Sequence, residues 1–470
     1  QYFLEKSEYI SKLSRHEKDV DKNVKILFSQ LIGNIYKIPA SATLMIGKQL
    51  EDYFTIREEP SLYLNHYMHP YKGKFHPKMV RALLNYIFPK EEGVVLDNFA
   101  GSGTLLVEAG YLGLDSLGVE INPLSVLMCN VKCHSVNIPP SDLKRAIKEF
   151  ISKLGDEINF LENYIQGQES LVPSGMDIES VINQSDQIIK GFKKSNLFKN
   201  KEIVLKKIIV TRELINRIED NKIREFILLG LSGAISDVSR RTKNDFVSVL
   251  EKRLNHLYLR IYLYSELNKI LKIKETNSKT FTEDTRDMEK IASDSVDGIV
   301  NSPPYSTALD YIKNDYPQLL TLNLVQSLEE LEKNMMGNPR KNYNRNELLE
   351  LASNKEEDPL AISEIAHKYV DMLLNNERED AGLRVYKFFI DMYYALKEMH
   401  RVMKKGSKCA IVIGNNHFLI NDKYQDIPND DVLLDLGKKI GFKEDIVLKR
   451  KLQKTSVGNV RTESILILQK

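Results

Sequence analysis

The chain has 470 residues, 42% of them hydrophobic and 28% charged, a balance that fits folded domains and excludes a disordered polymer. Lys+Arg number 67 against 65 Asp+Glu, a formal charge of +2, so any polyanion contact must be a local basic patch rather than a global property. No run approaches the ~20 apolar residues that cross a bilayer, the first residues hold no apolar signal core, and three cysteines are too few for a disulfide scaffold. A cytoplasmic chain of two to four domain-sized units, with no membrane association, is expected.

Residues 1–65 read mainly as helix. The first strand-like run is EGVVLDNFA (92–100), followed by one helix and a second run, SLGVEIN (116–122). From about 138 to 277 apolar residues recur three and four apart, which predicts a helical insertion. Such a gap is too long for a loop and must hold a substructure of its own. Strand-like runs resume with KTFTEDT (279–285), VDGIVNSPPY (296–305) and KCAIVIGNN (408–416), and DIVLKRKLQ (445–453) and ESILILQK (463–470) close the chain. A polar insertion lies at about 325–380. Short apolar runs ending in Gly or Pro and alternating with helices predict βα units and a mostly parallel sheet. The divisions are therefore 1–65, 66–137 (first part of the core), 138–277 (helical insertion) and 278–470 (second part of the core).

Two turns carry chemistry. Asp97-Asn98-Phe99-Ala100-Gly101-Ser102-Gly103-Thr104 joins a strand to a helix. Its glycines allow close backbone approach to a ligand, and the helix start presents free N–H groups. Glu120 ends the next strand, where a doubly wound fold places a carboxylate against ribose hydroxyls. Leu106 stands where a dinucleotide fingerprint needs its third Gly, which argues against NAD. The second turn is Asn301-Ser302-Pro303-Pro304-Tyr305. Two prolines cannot continue a ladder, so they make a rigid loop ending in an aromatic ring. Such a loop suits a planar nitrogenous substrate.

With both turns present, the sequence resembles the S-adenosylmethionine-dependent amino-methyltransferases of DNA. DNFAGSGT resembles their cofactor loop, in which Pro usually stands where this chain has Asn98. NSPPY resembles their catalytic loop, and Ser-Pro-Pro-Tyr is the form typical of cytosine-N4 enzymes. Phe75-His76-Pro77 resembles the motif that packs beside the cofactor, and FTEDTRDM the strand end whose acid meets the adenine amino group. The resemblance implies a Rossmann-like α/β fold with a seven-stranded, mostly parallel sheet and an antiparallel strand near the C-terminus. It implies S-adenosyl-L-methionine as cofactor, held by Phe75, His76, Asp97, Phe99, Ala100, Gly101, Gly103, Thr104, Glu120, Asp284 and Thr285, with Asp287 the alternative to Asp284. It implies Asn301, Ser302, Pro303, Pro304 and Tyr305 as the catalytic loop. The cofactor loop precedes the catalytic loop here, an order commoner among adenine-N6 enzymes, so adenine N6 is the nearest alternative target and an RNA base amino group a further one.

A base amine is a poor nucleophile because its lone pair is delocalised. Ser302 Oγ and the Pro303 carbonyl are expected to accept its N–H bonds, and Tyr305 to stack on a flipped base. Cytosine C5 chemistry would need a Cys nucleophile, and no Pro-Cys pair occurs. Cys129, Cys133 and His134 read as structural, and no metal is expected. Phosphates need cations. In a methyltransferase, Arg240, Arg241 and Lys243 in the helical insertion, and Arg340 and Lys341 in the polar one, become the expected DNA contacts. The helical insertion is the expected target-recognition region. A cognate restriction nuclease or a defence-system subunit is the possible partner besides DNA.

Overall fold

The computed structural model describes residues 64–88, 92–168, 175–192, 198, 201–239, 245–304, 311–337, 343–354, 356–376, 378–420, 423–451 and 462–470. Its centre is a seven-stranded sheet. The strands are β1 (Val94–Asp97), β2 (Asp115–Glu120), β3 (Ser278–Thr282), β4 (Val296–Asn301), β5 (Met403–Gly414), β8 (Lys443–Lys451) and β9 (Thr462–Gln469), in the order β3-β2-β1-β4-β5-β9-β8. β1 to β5 run parallel, and β9 is antiparallel to both β5 and β8. The order reverses between β1 and β4, the switch point at which such sheets open a crevice beyond the strand ends.

The central strands are short and apolar because both faces are covered. On one face α1 (Pro77–Ile87) and α2 (Thr104–Tyr111) pack Val80, Leu84, Leu105 and Ala109 against Val95, Val300 and Val412. On the other, α13 (Glu379–Val402) and α14 (Asn429–Ile440) bring Phe389, Leu396, Met399 and Leu433 onto Leu96, Ile299 and Ile411. α3 (Pro123–His134) begins with Pro at its first turn, and its N-cap Asn122 accepts from the Leu124 N–H, a strong local start signal.

Between α3 and β3 the described residues include five α-helices: α4 (Pro140–Ile165), α5 (Ile178–Phe192), α6 (Glu202–Asn216), α7 (Asn221–Val238) and α8 (Phe246–Leu271). α4 buries Leu143, Ile147, Phe150, Leu154, Ile158 and Leu161, a stripe three and four residues apart. Each such side chain contributes about 1.5–3 kcal/mol when removed from water. The stripe joins α6, α7, α8 and the inner face of α3 in one apolar cluster, so the helices share a core with the sheet's flank. Asp220 and Asp245 cap α7 and α8 through backbone N–H bonds.

Two regions depart from the sequence reading. The polar stretch at 325–380 includes α10 (Leu328–Asn334), α11 (Arg345–Ser353) and α12 (Glu364–Leu374), following α9 (Tyr311–Thr321). It buries Met336, Leu348, Leu360, Val370 and Leu373 against α13. Its polarity is the outer face of amphipathic helices. A hairpin of β6 (Asn416–Ile420) and β7 (Lys423–Ile427) follows β5. Only Asn416, Ile420 and Ile427 are buried in it, too few to give a legible alternation.

Candidate active site

A cleft of about 840 Å³ opens at the carboxyl ends of β1, β2, β3 and β4. Its floor is the Gly-rich turn. Gly101 and Gly103 sit at φ +49° and +76°, and a Cβ on Gly103 would come 3.0 Å from the Cys129 sulfur, so glycine is required there. Asp97 is 2% exposed. Its Oδ1 accepts from the Phe99 N–H at 3.1 Å, and burial pushes its carboxyl up to about 8, with the nearby Glu120 charge adding to the rise. Glu120 ends β2 and accepts from the Gly101 N–H at 2.8 Å and the Asn122 N–H at 2.9 Å. Burial raises its pKa against those bonds. Carboxylate oxygens have lone pairs to spare, so Glu120 can bind a diol while holding the turn.

The turn is braced from beneath by α3. Lys132 is fully buried and donates to the Ser102 carbonyl, and the Cys129 thiol donates to the Gly101 carbonyl at 3.5 Å. Burial pulls the Lys132 ammonium down to about 8 and raises the Cys129 thiol well above its ordinary value. His134 Nε2 meets the Ser278 carbonyl at 2.8 Å. Cys129, Cys133 and His134 thus belong to the scaffold, and no group of three His, Cys, Asp or Glu among the described residues could hold a metal. Further back, Glu108 takes His66 Nε2 at 2.7 Å and Arg81 Nε at 2.6 Å, all wholly buried. Burial lowers His66 to about 4, so it is neutral at pH 7.

The β3 side is built differently. Asp284 lines the cleft, but it accepts from the backbone N–H and Nε of Arg286, each at 2.9 Å, and also from Arg286 NH2. Arg286 reaches Asp391 at 2.6 Å and the Asn334 carbonyl at 3.0 Å as well. Its neighbour Glu283 also lines the cleft, with one buried oxygen lacking a partner. Asp287 is exposed and does not line the cleft.

From β4 the cleft receives Ser302 and Pro304. Ser302 Oγ donates to the Val412 carbonyl of β5 at 3.1 Å. Asn301, expected in the catalytic loop, is fully buried and is not among the residues that line the cleft. Its amide donates to Asn98 Oδ1 at 2.6 Å, behind the cleft wall. Pro303 is buried. Tyr305, Arg240, Arg241, Lys243, Arg340 and Lys341 lie outside the described residues.

The other expected cofactor residues divide. Phe75, Phe99, Ala100, Thr104 and Thr285 line the cleft, while Gly103 supports the turn. His76 instead caps the start of α1 and lines an adjoining hollow with His66, His69 and Lys74. Pro77 stands at the first turn of the helix beside it, where its fixed φ suits a helix start. His417 is a hairpin residue paired with Asp426 and is absent from the cleft lining. Sequence reasoning missed Tyr71 and Tyr311, whose rings stack at 5.9 Å and 22° on the cleft wall. It also missed Asn334, Met335 and Met336, which the polar insertion contributes. The adjacent methionines in that polar run were the one available signal.

Residues 1–128 match the family model described as DNA methylase, N6_N4_Mtase. Over 404 residues the chain is 25% identical to the type II methyltransferase M.MvaI of Kocuria varians, covering 80% of this chain and 81% of that protein. It is 21% identical over 411 residues to the type II methyltransferase M.BsoBI of Geobacillus stearothermophilus, covering 79% and 77%. A 97-residue stretch is 37% identical to the type II methyltransferase M.MjaII of Methanocaldococcus jannaschii, covering 20% and 18%. No helix among the described residues is long and apolar enough to cross a membrane.

Proposed function

We propose, from the premise that this chain is an S-adenosylmethionine-dependent amino-methyltransferase of the N4/N6 family, that it methylates cytosine N4 in DNA. The cleft fits that donor. A carboxylate ends β2, a glycine turn leaves room against Tyr71, and two buried carboxyls stand ready for a cation. When bound, S-adenosylmethionine supplies a methyl already activated on a sulfonium. The protein's task is then to position the amine rather than to form a covalent intermediate.

The observation that carries the reading is the Ser302 hydroxyl. Its proton is committed to the Val412 carbonyl, so in this reading the oxygen, whose residue lines the cleft, serves the substrate through its two lone pairs, as an acceptor. An acceptor there takes an N–H of the base amine and turns its lone pair toward the methyl. Pro303, held by its buried ring, offers its carbonyl for the second N–H. Tyr305 follows the two prolines and stacks on the flipped base in this reading. Arg240, Arg241, Lys243, Arg340 and Lys341 supply phosphate contacts from the two insertions. The type II relatives support a restriction–modification setting, with a cognate nuclease as partner.

The test is mass spectrometry of nucleosides from plasmid DNA incubated with the protein and S-adenosylmethionine. N4-methylcytosine is expected. N6-methyladenine alone would overturn the base and show that motif order outweighs the Ser-Pro-Pro-Tyr form. Methyl transfer to tRNA or rRNA but not to DNA would overturn the polymer. Ser302→Ala is expected to lower turnover by about 10- to 100-fold while cofactor affinity holds within about threefold, the signature of an interaction made to the substrate amine.

A further inference from the structure

Asn98 occupies the loop position where the resembled family usually carries Pro, and its side chain is 1% exposed. Its Nδ2 donates to Thr285 Oγ1 at 2.6 Å, and its Oδ1 accepts from Asn301 Nδ2 at 2.6 Å. Three strand ends are joined by one amide: β1 before the cofactor turn, the segment after β3, and the last residue of β4. Asn98 and Thr285 both line the cleft, as does Ser302, the residue next to Asn301. Asn301 is also in contact with the Met399 sulfur at 3.6 Å, so α13 closes the space behind it. Buried amides bonded to one another admit few alternative geometries, because any shift leaves a polar group unpaired in a low dielectric.

We propose that Asn98 is a positioning residue that sets the catalytic loop against the cofactor, through Asn301 on one side and Thr285 on the other. The inference rests on the methyl-transfer reading above. A ligand in the cleft presses on both Asn98 and Thr285, and the Asn98–Asn301 bond carries that placement to the root of the Ser302 loop. A proline at 98 can keep the loop's course, since the preceding Asp97 is in an extended strand, but it has no side-chain amide and cannot make either bond.

The experiment compares the full chain with Asn98→Pro, Asn98→Ala, Asn301→Ala and the double variant Asn98→Ala/Asn301→Ala. Single-turnover methyl transfer to DNA is measured beside S-adenosylmethionine affinity by calorimetry. Displacing reacting groups by about 1 Å costs about 100-fold in rate. The expected result is a 10- to 100-fold slower transfer in each single variant, cofactor affinity within about threefold, and a double variant no slower than the slower single. Thr285→Val, which removes the acceptor at the other end, tests the same tie should Asn301→Ala melt early. Transfer by Asn98→Pro at the wild-type rate overturns the proposal. So do losses that multiply in the double variant, and cofactor affinity that falls in step with rate, which marks a merely structural role. A wild-type protein that transfers methyl to no nucleic acid instead defeats the functional reading beneath it, so the two failures are distinguishable.

Discussion

The two sides of the cleft handle negative charge in opposite ways. On the β1–β2 side, Asp97 and Glu120 are bonded to backbone N–H groups, and neither has a Lys or Arg partner among the described residues. Burial pushes both carboxyls up, Asp97 to about 8. On the β3 side, Asp284 is neutralised by Arg286, which is itself shared with Asp391. A buried carboxyl with no cationic partner favours its protonated form until a cation arrives. S-adenosylmethionine brings a sulfonium and an ammonium. On the proposed reading, the β1–β2 side supplies charge for the cofactor, while on the β3 side, where Lys290 meets Glu283 at 3.1 Å as Arg286 meets Asp284, shape and hydrogen bonds dominate.

The strongest way to break that division is at Glu120. Glu120→Gln removes the charge and one acceptor while keeping the size. Hydrogen bonds to charged groups contribute roughly 1.5–3 kcal/mol, so S-adenosylmethionine affinity is expected to fall about 100-fold in calorimetry. A loss below about threefold would move the ribose and the charge elsewhere.

Asp97 gives a smaller effect with a definite pH signature. The free group ionises near 3.8 in the unfolded chain and near 8 in the folded one. Between those values the folded state holds a proton that the unfolded state releases, so this group's contribution to stability declines as pH rises through the window. Asp97→Asn is expected to raise the melting temperature by a few °C at pH 8–9 and to leave it unchanged below pH 4. Cofactor binding to the wild type at pH 7 should release a proton, read from calorimetry in two buffers of different ionisation enthalpy. Its affinity should rise with pH and level off above about 8. The variant should bind roughly tenfold more weakly at high pH, the order expected for one charge-assisted contact, and release no proton. A melting temperature unmoved by the substitution would show that Asp97 is not held protonated.

These carboxyls were legible in the sequence because their environment is local. A strand, a Gly-rich turn and a helix follow one another within Val94–Tyr111, and Glu120 ends the very next strand. Ser302 was legible for the same reason, since two prolines stop β4 at a fixed place. The helices of 138–277 showed in the spacing of residues such as Leu143, Ile147 and Leu154. What escaped is non-local. Tyr71 meets Tyr311 across the whole helical insertion, and Met335 and Met336 reach the cleft from a stretch whose polar face masked its buried one. Asn98 was visible only as a departure from a usual Pro. Its two bonds, to Thr285 and Asn301, span separations that no local pattern encodes. Asp284 lines the cleft, but its engagement by Arg286 depends on how the side chain folds back over two residues.

That engagement leads to the smallest expected effect and the sharpest test of the two-sided division. Asp284 and Arg286 are each partly exposed, so their pairing contributes at most about 1 kcal/mol after solvent screening. Asp284→Asn keeps an acceptor in the same place, and Arg286 retains Asp391. Cofactor affinity is therefore expected to change by less than about threefold, the equivalent of a weakened neutral hydrogen bond, with little shift in melting temperature. Calorimetry beside Glu120→Gln under the same conditions makes the comparison direct. A tenfold loss at Asp284 would mean that its charge is available to the cofactor amino group despite Arg286, and the division of labour between the two sides of the cleft would fail. A small loss at Asp284 beside a large one at Glu120 is the pattern that a cation-seeking side and a shape-reading side require.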